Sequence, residues 1–352
     1  MFSFYSDSGS NALDWKAPEN WVKITAIEAH TEGEPLRVII GGYPEIKGDT
    51  ILEKRRYAKE NLDYLRTALM WEPRGHADMY GCLLAPPVTS DADFGVIFLH
   101  NEGYSTMCGH GIIGVTKVVL QTGMIPIKEP ETVVKIDTPA GLVTAFAKIE
   151  DNEVKSISFH NVPSFVYTLD ENVEITGLGN IKIDIAFGGA FYAFVDADEL
   201  GISLNENNFR KMIDIGSRIK RTVMNNIKIT HPFEEDLNFL YGTIFTGSPD
   251  NTNNHSRNVC VFAEGEVDRS PTGTGVSARL ALHYTRNEIE LGQKITIESI
   301  IGSTFSGKVI SETKFGQYDA VIPEVEGTAF IIGQNTFLID PEDNLKNGFI
   351  LR

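Results

Sequence analysis

Three residue classes are scarce in this chain, and each scarcity removes a class of function. Among 352 residues there are only three cysteines, Cys82, Cys108 and Cys260. None sits in a CxxC pair, so neither a disulfide framework nor a thiolate zinc site is expected, and a reduced, cytoplasmic setting follows. No HExxH occurs, and no His/Cys cluster has ligand spacing, so metal is not expected either. Basic residues are outnumbered, 31 Lys and Arg against 48 Asp and Glu, for a formal charge of −17. That balance argues against nucleic acid or an anionic membrane surface as partner. No apolar run approaches the ~20 residues of a membrane span. Met1–Asn20 lacks the basic cluster and apolar core of a secretory signal, and residues 1–21 read as a polar extension.

What is present is a soluble composition, 42% hydrophobic and 22% charged, long enough for two lobes. Short β-rich runs bounded by Gly, Pro, Asn or Asp recur along the chain. The first series is Val22–Ala29, Arg37–Gly41, Phe94–Leu99, Thr132–Thr138, Leu142–Ile149 and Val154–Asn161. The second begins at Ile181–Ile185 and continues through Leu237–Thr246 and Arg257–Phe262 to Gly327–Thr336. Helical periodicity is confined to Ile51–Leu69, Gly111–Leu120, Asn205–Met224 and Gly275–Asn287. Each run of strands thus holds a helix in its middle.

Two of those helices start alike. Met107-Cys108-Gly109-His110-Gly111 leads into one, and Pro271-Thr272-Gly273-Thr274-Gly275 leads into the other. Both have the form X-Gly-[His/Thr]-Gly after a strand, with a Gly-containing segment further on (Thr138-Pro139-Ala140-Gly141 and Ile301-Gly302-Ser303). The matched surroundings predict a duplication, with two lobes facing across a cleft. Residues 22–163 plus 342–352 are expected to form the first lobe and 164–341 the second, with Phe349–Leu351 returning as a strand.

A helix N-terminus exposes unpaired N–H groups and partial positive charge. Glycines let a carboxylate approach those donors, so two such turns in one cleft could hold a small carboxylate and stabilise charge developing beside it. Cys108 at the first turn could act as base, nucleophile or metal ligand, its pKa lowered by the helix end. His110 could modulate Cys108, meet the substrate, or cap the helix. Asp268 could pair with a substrate ammonium or cap its own helix. A relay hydrolase is disfavoured, because His110 follows Cys108 by only two residues. Cys82 and Cys260 lie in apolar strand contexts and read as packing residues.

The two turns, with Asp268-Arg269-Ser270-Pro271 before the second, resemble the signature turns of the proline racemase family. Glu28-Ala29-His30-Thr31-Glu32-Gly33-Glu34-Pro35-Leu36-Arg37-Val38 and Glu72-Pro73-Arg74-Gly75-His76-Ala77-Asp78-Met79-Tyr80-Gly81 are similar to two further family motifs. Phe187-Gly188-Gly189-Ala190-Phe191-Tyr192 and Ser256-Arg257-Asn258 add to the likeness. Racemases and epimerases of this family carry Cys in both turns; Cys followed by Thr, as here, resembles the trans-3-hydroxy-L-proline dehydratase branch.

The resemblance implies an α/β (α+β) fold of two pseudo-symmetric lobes of diaminopimelate-epimerase type, each a sheet wrapped around a central helix. It also implies a homodimer and no cofactor. Carried over, Cys108 would be the base, and Gly109, His110, Gly273 and Thr274 would hold the carboxylate. His110 and Asp268 would flank the ring nitrogen, and Tyr80 and Phe262 would shape the pocket. Thr272 would leave the second face without a thiol, directing the reaction to elimination rather than racemisation. A proline racemase, a 4-hydroxyproline epimerase and a non-catalytic carboxylate-binding protein are the alternatives.

Overall fold

The computed structural model describes residues 15–351, so most of the expected N-terminal extension lies outside the described residues. The chain is built on one order of elements used twice. The first copy runs β1 (Val22–Thr31), β2 (Glu34–Gly41), α1 (Ile51–Asn61), α2 (Asp63–Met70), β3 (Gly81–Ala85), β4 (Phe94–Leu99), β5 (Tyr104–Ser105), α3 (Gly109–Gln121), β6 (Glu131–Thr138), β7 (Gly141–Glu150) and β8 (Glu153–His160). A linking strand, β9 (Ser164–Ile175), comes next.

The second copy runs β10 (Gly179–Phe187), β11 (Phe191–Asp196), α4 (Phe209–Asn226), β12 (Leu240–Gly247), β13 (Ser256–Phe262), β14 (Glu266–Val267), α5 (Gly273–Thr285), β15 (Ile295–Glu298), β16 (Thr304–Phe315) and β17 (Tyr318–Gly327). β18 (Ala329–Ile339) closes the set.

Pairing repeats along with order. β2 joins β3 in parallel across a helical crossover, as β11 joins β12. β4 pairs antiparallel with β3 and parallel with β6, as β13 does with β12 and β15. The second sheet closes through β9, which pairs with both β10 and β17. Each ring encloses one helix. α3 packs against β1, β2, β7, β8 and β18, and α5 against β9, β10, β16 and β17.

Both central helices are almost wholly buried over their first three turns. That burial explains their lack of a charged face: a helix surrounded by sheet is apolar all round. α1 and α4 lie outside, on β4 and on β12 and β13. α1 opens with a capping box in which Thr50 and Glu53 each satisfy the other's backbone N–H.

Three expectations need correction. The single helix expected over Ile51–Leu69 breaks at Leu62 (φ −128°, ψ 12°), where no side chain caps the restart. Arg66, paired to Asp63 and donating to the His100 and Asn101 carbonyls, ties the second piece to the strand side of the lobe. The second lobe does not extend to Pro341, because β18 already runs antiparallel along β1 from Ala329. We therefore place the chain crossings at Asn161–Pro163 and at Gly327-Thr328. Phe349 makes a single bridge to Glu72 instead of a strand. The polar strand β9 and the two-residue β5 carry no strong periodic signal and are not expected from the sequence. No helix among the described residues is long and apolar enough to cross a membrane.

Candidate active site

The duplication brings the starts of α3 and α5 head to head. A Cβ on Gly109 would lie 2.5 Å from the Gly273 Cα, and one on Gly273 would lie 2.7 Å from the Gly109 Cα. Only glycine permits this approach, so both positions are fixed by backbone contact. Around the junction a pocket is lined by Cys108, Gly109, His110, Asp268, Thr272, Gly273 and Thr274, with Tyr80 and Phe262 on its wall. Every expected site residue therefore lies at one place. Met107, Tyr192 and Tyr241 complete the lining. The cavity has a volume of ≈ 10 Å³, room for about one water.

Cys108 occupies the N-cap of α3 with extended backbone (φ −147°, ψ 111°), and its Sγ accepts from the Gly111 N–H at 3.2 Å. His110 Nδ1 lies 3.2 Å from Sγ. Burial pushes the thiol pKa well up, against the downward pull of the Tyr80 hydroxyl and the Gly111 N–H; Asp268 and Glu34 add to the rise. The helix end alone would lower the thiol, but here desolvation outweighs the helix donors and the shift runs upward. His110 is buried and its pKa falls to about 3, although a hydrogen bond to the Pro35 backbone opposes the fall. It is a neutral imidazole.

Thr272 stands at the matching position of α5 with φ +67° and makes no side-chain cap. A β-branched residue in that region is strained, and such strain gathers at functional sites. Its Oγ1 is buried without a hydrogen-bond partner. Asp268 is buried, accepts from the Ser270 N–H at 2.8 Å, and has its pKa raised to about 6 by burial. Thr274 Oγ1 lies 2.6 Å from the Tyr192 hydroxyl. Cys82 and Cys260 are buried thiols; Cys82 lies on β3 and Cys260 on β13, in line with a packing role.

Sequence reasoning passed over four residues here. Glu34 is fully buried, accepts from the Arg269 N–H at 2.7 Å, and leaves its Oε1 without a partner. Burial, then Asp268, raises its pKa well above the carboxylate range. In the sequence Glu34 is only one letter of the motif that starts at Glu28. Ser105 joins the hydroxyls of Tyr80 and Tyr241, at 2.6 and 2.7 Å. Tyr192 and Tyr241 lie within strands, where an aromatic ordinarily signals core.

Fold and site together define a two-lobed α/β protein with a small pocket between paired helix starts. The family model described as proline racemase matches residues 26–350, and the chain belongs to that family. A Colwellia psychrerythraea protein named trans-3-hydroxy-L-proline dehydratase is 49% identical over 95% of this chain and 94% of its own length. A Clostridioides difficile protein named proline racemase is 42% identical over 94% of this chain and 98% of its own. A hydroxyproline epimerase from Agrobacterium vitis, solved with bound trans-4-hydroxy-L-proline, superposes with a TM-score of 0.91. It is 34% identical, with 95% of this chain and 96% of that one covered.

Proposed function

We propose that this chain dehydrates trans-3-hydroxy-L-proline to Δ1-pyrroline-2-carboxylate without a cofactor. The observation that carries the proposal is the asymmetry of the two helix starts: one thiol, Cys108, faces one hydroxyl, Thr272, across the pocket. The dehydratase named among the relatives at 49% identity supports the same reading.

The lobes part to admit the substrate, and its carboxylate lies between the N–H groups of Gly109 and His110 and those of Gly273 and Thr274. Neutral His110 and Asp268 flank the ring nitrogen, the ammonium drawing Asp268 to its ionised form. Substrate entry also lowers the Cys108 thiol toward thiolate, because the ammonium replaces a low-dielectric wall with positive charge. Closure excludes water, Cys108 thiolate takes the α-hydrogen, and the opposed helix ends stabilise the enediolate-like charge. The bond from C3 to its hydroxyl then breaks. The resulting enamine tautomerises to the pyrroline.

Racemisation or epimerisation is the second reading, and the relatives with those names make it chemically near. It calls for a proton donor on the far face, which a threonine hydroxyl does not supply near neutral pH. A carboxylate-binding protein without turnover would bind the substrate but exchange no α-hydrogen in deuterated water. A cytoplasmic homodimer belongs to the same proposal, the dimer from the family resemblance and the compartment from three free thiols.

Incubating reduced, folded protein with trans-3-hydroxy-L-proline and assaying pyrroline-2-carboxylate tests the proposal. Product is expected; its absence, or chiral inversion of proline in its place, would overturn it.

A further inference from the structure

Tyr80, Ser105 and Tyr241 form a chain of hydroxyls that the α-proton step leaves unused. β5 carries Ser105 three residues before Cys108, held by pairing with Phe98 and Leu99 of β4. Its Oγ sits 2.6 Å from the Tyr80 hydroxyl and 2.7 Å from that of Tyr241. All three side chains are buried. The rings are held in place: Tyr241 stacks on Phe262 with centroids 5.3 Å apart, and Tyr80 on His100 at 5.9 Å. Tyr80 and Tyr241 line the reaction pocket with Cys108, and the Tyr80 ring meets His110 edge-on with centroids 4.6 Å apart. Tyr241 also lines a second cavity of ≈ 720 Å³, beside His100 and Lys220. Three hydroxyls joined by two hydrogen bonds leave one hydrogen to donate. Run from Tyr241 through Ser105 to Tyr80, that free hydrogen is the one at the Cys108 side.

The stereochemistry of the substrate says where such a donor is needed. This inference rests on the dehydration reading. In trans-3-hydroxy-L-proline the 3-hydroxyl lies on the ring face opposite the carboxylate. The α-hydrogen lies on that same face. A base that meets the α-hydrogen therefore also meets the departing oxygen, and Thr272, across the ring, does not.

We propose that Tyr80 is the acid that protonates the leaving 3-hydroxyl, with Ser105 and Tyr241 as positioning residues that orient it. Cys108 thiolate takes the α-hydrogen, and the pair from the C–H bond becomes the π bond to C3. The C3–O bond breaks with its electron pair, oxygen takes the Tyr80 proton, and water departs. The Tyr80 phenolate then recovers a proton from the Cys108 thiol, which restores the thiolate. No outside acid or base is consumed. Burial raises the Tyr80 pKa, so the phenol stays protonated between turnovers, while hydroxide, a far stronger base than a phenolate, still draws its proton.

The test compares leaving groups in the full-length protein. Fluoride leaves without protonation, so trans-3-fluoro-L-proline bypasses the acid. Tyr80→Phe should lose roughly 10²–10⁴-fold in dehydration kcat, the range of general acid catalysis, while fluoride release stays within about tenfold of the parent. Ser105→Ala, which leaves the Tyr80 ring in place, should show the same selectivity with a loss of about tenfold, and it decides the matter if Tyr80→Phe does not fold. Equal losses on both substrates in either variant would overturn the acid role, since both hydroxyls would then be serving only to set up Cys108. Undiminished dehydration in both variants would overturn it as well. A parent protein that forms no pyrroline from the hydroxy substrate sinks the dehydratase reading itself, whatever the variants do.

Discussion

The Cys108 and Thr272 turns are the same device built twice, and they differ where chemistry would be done. Each comes after a short strand, opens a buried helix, and presents Gly-X-Gly to the other. Cys108 has relaxed extended backbone and a sulfur engaged by Gly111 and His110. Thr272 has φ +67° and a hydroxyl with no partner. The repeat keeps a glycine-flanked helix start on both sides and a titratable side chain at only one of them. On the proposed reading a symmetric frame serves an asymmetric reaction: the frame binds, and the single thiol selects the chemistry.

The sharpest way to break the comparison is to remove its reactive side. Cys108→Ser should reduce pyrroline formation by at least about 10³-fold, an alcohol being a far weaker base at neutral pH; steady-state assay checks it. Removing the shared frame should cost nearly as much. Gly109→Ala puts a methyl 2.5 Å from the Gly273 Cα, which should push the helix starts apart, lower kcat/KM by about 10²-fold and destabilise by about 1–3 kcal/mol. Activity and denaturant midpoint measure the two effects.

Restoring symmetry is gentler. Thr272→Cys puts a thiol on each face and should introduce slow inversion of proline, read by chiral chromatography. No inversion would mean that geometry, and not only the missing thiol, bars racemisation.

The smallest effect is on pH. On the proposed reading Asp268 meets the ammonium as a carboxylate, and burial raises its pKa to about 6. It is therefore protonated below that value, and kcat/KM should fall about tenfold per pH unit on the acid side. It should climb again toward high pH, because the Cys108 thiol is raised and the free enzyme holds little thiolate at neutrality. Alkylation of free Cys108 should share that second limb, with a midpoint above the ordinary thiol pKa of about 8.5.

Much of this was legible in the letters. The two Gly-X-Gly turns point to the duplication, since a tight backbone approach leaves glycine as its trace, and the central helices are legible in helical periodicity just after those turns. The expected site residues all line one pocket. Other features left no such trace. β9 is half polar because much of it lies outside the core, and β18 exchanges lobes by direct continuation of β17, with no linker to mark the crossing. The break at Leu62 has no Gly or Pro. The direction of the Cys108 shift is not legible, because the helix end is written in sequence whereas burial between two lobes is not. The hydroxyls of Ser105 and Tyr241 lie 136 residues apart, and only folding makes them neighbours.

The central claim is that one thiol begins an elimination. It is tested most directly by following trans-3-hydroxy-L-proline in deuterated water with the parent protein and with Cys108→Ser. Pyrroline and no inverted hydroxyproline are expected from the parent, and neither product nor α-deuterium incorporation from the variant. Pyrroline formed at the parental rate by Cys108→Ser would contradict it.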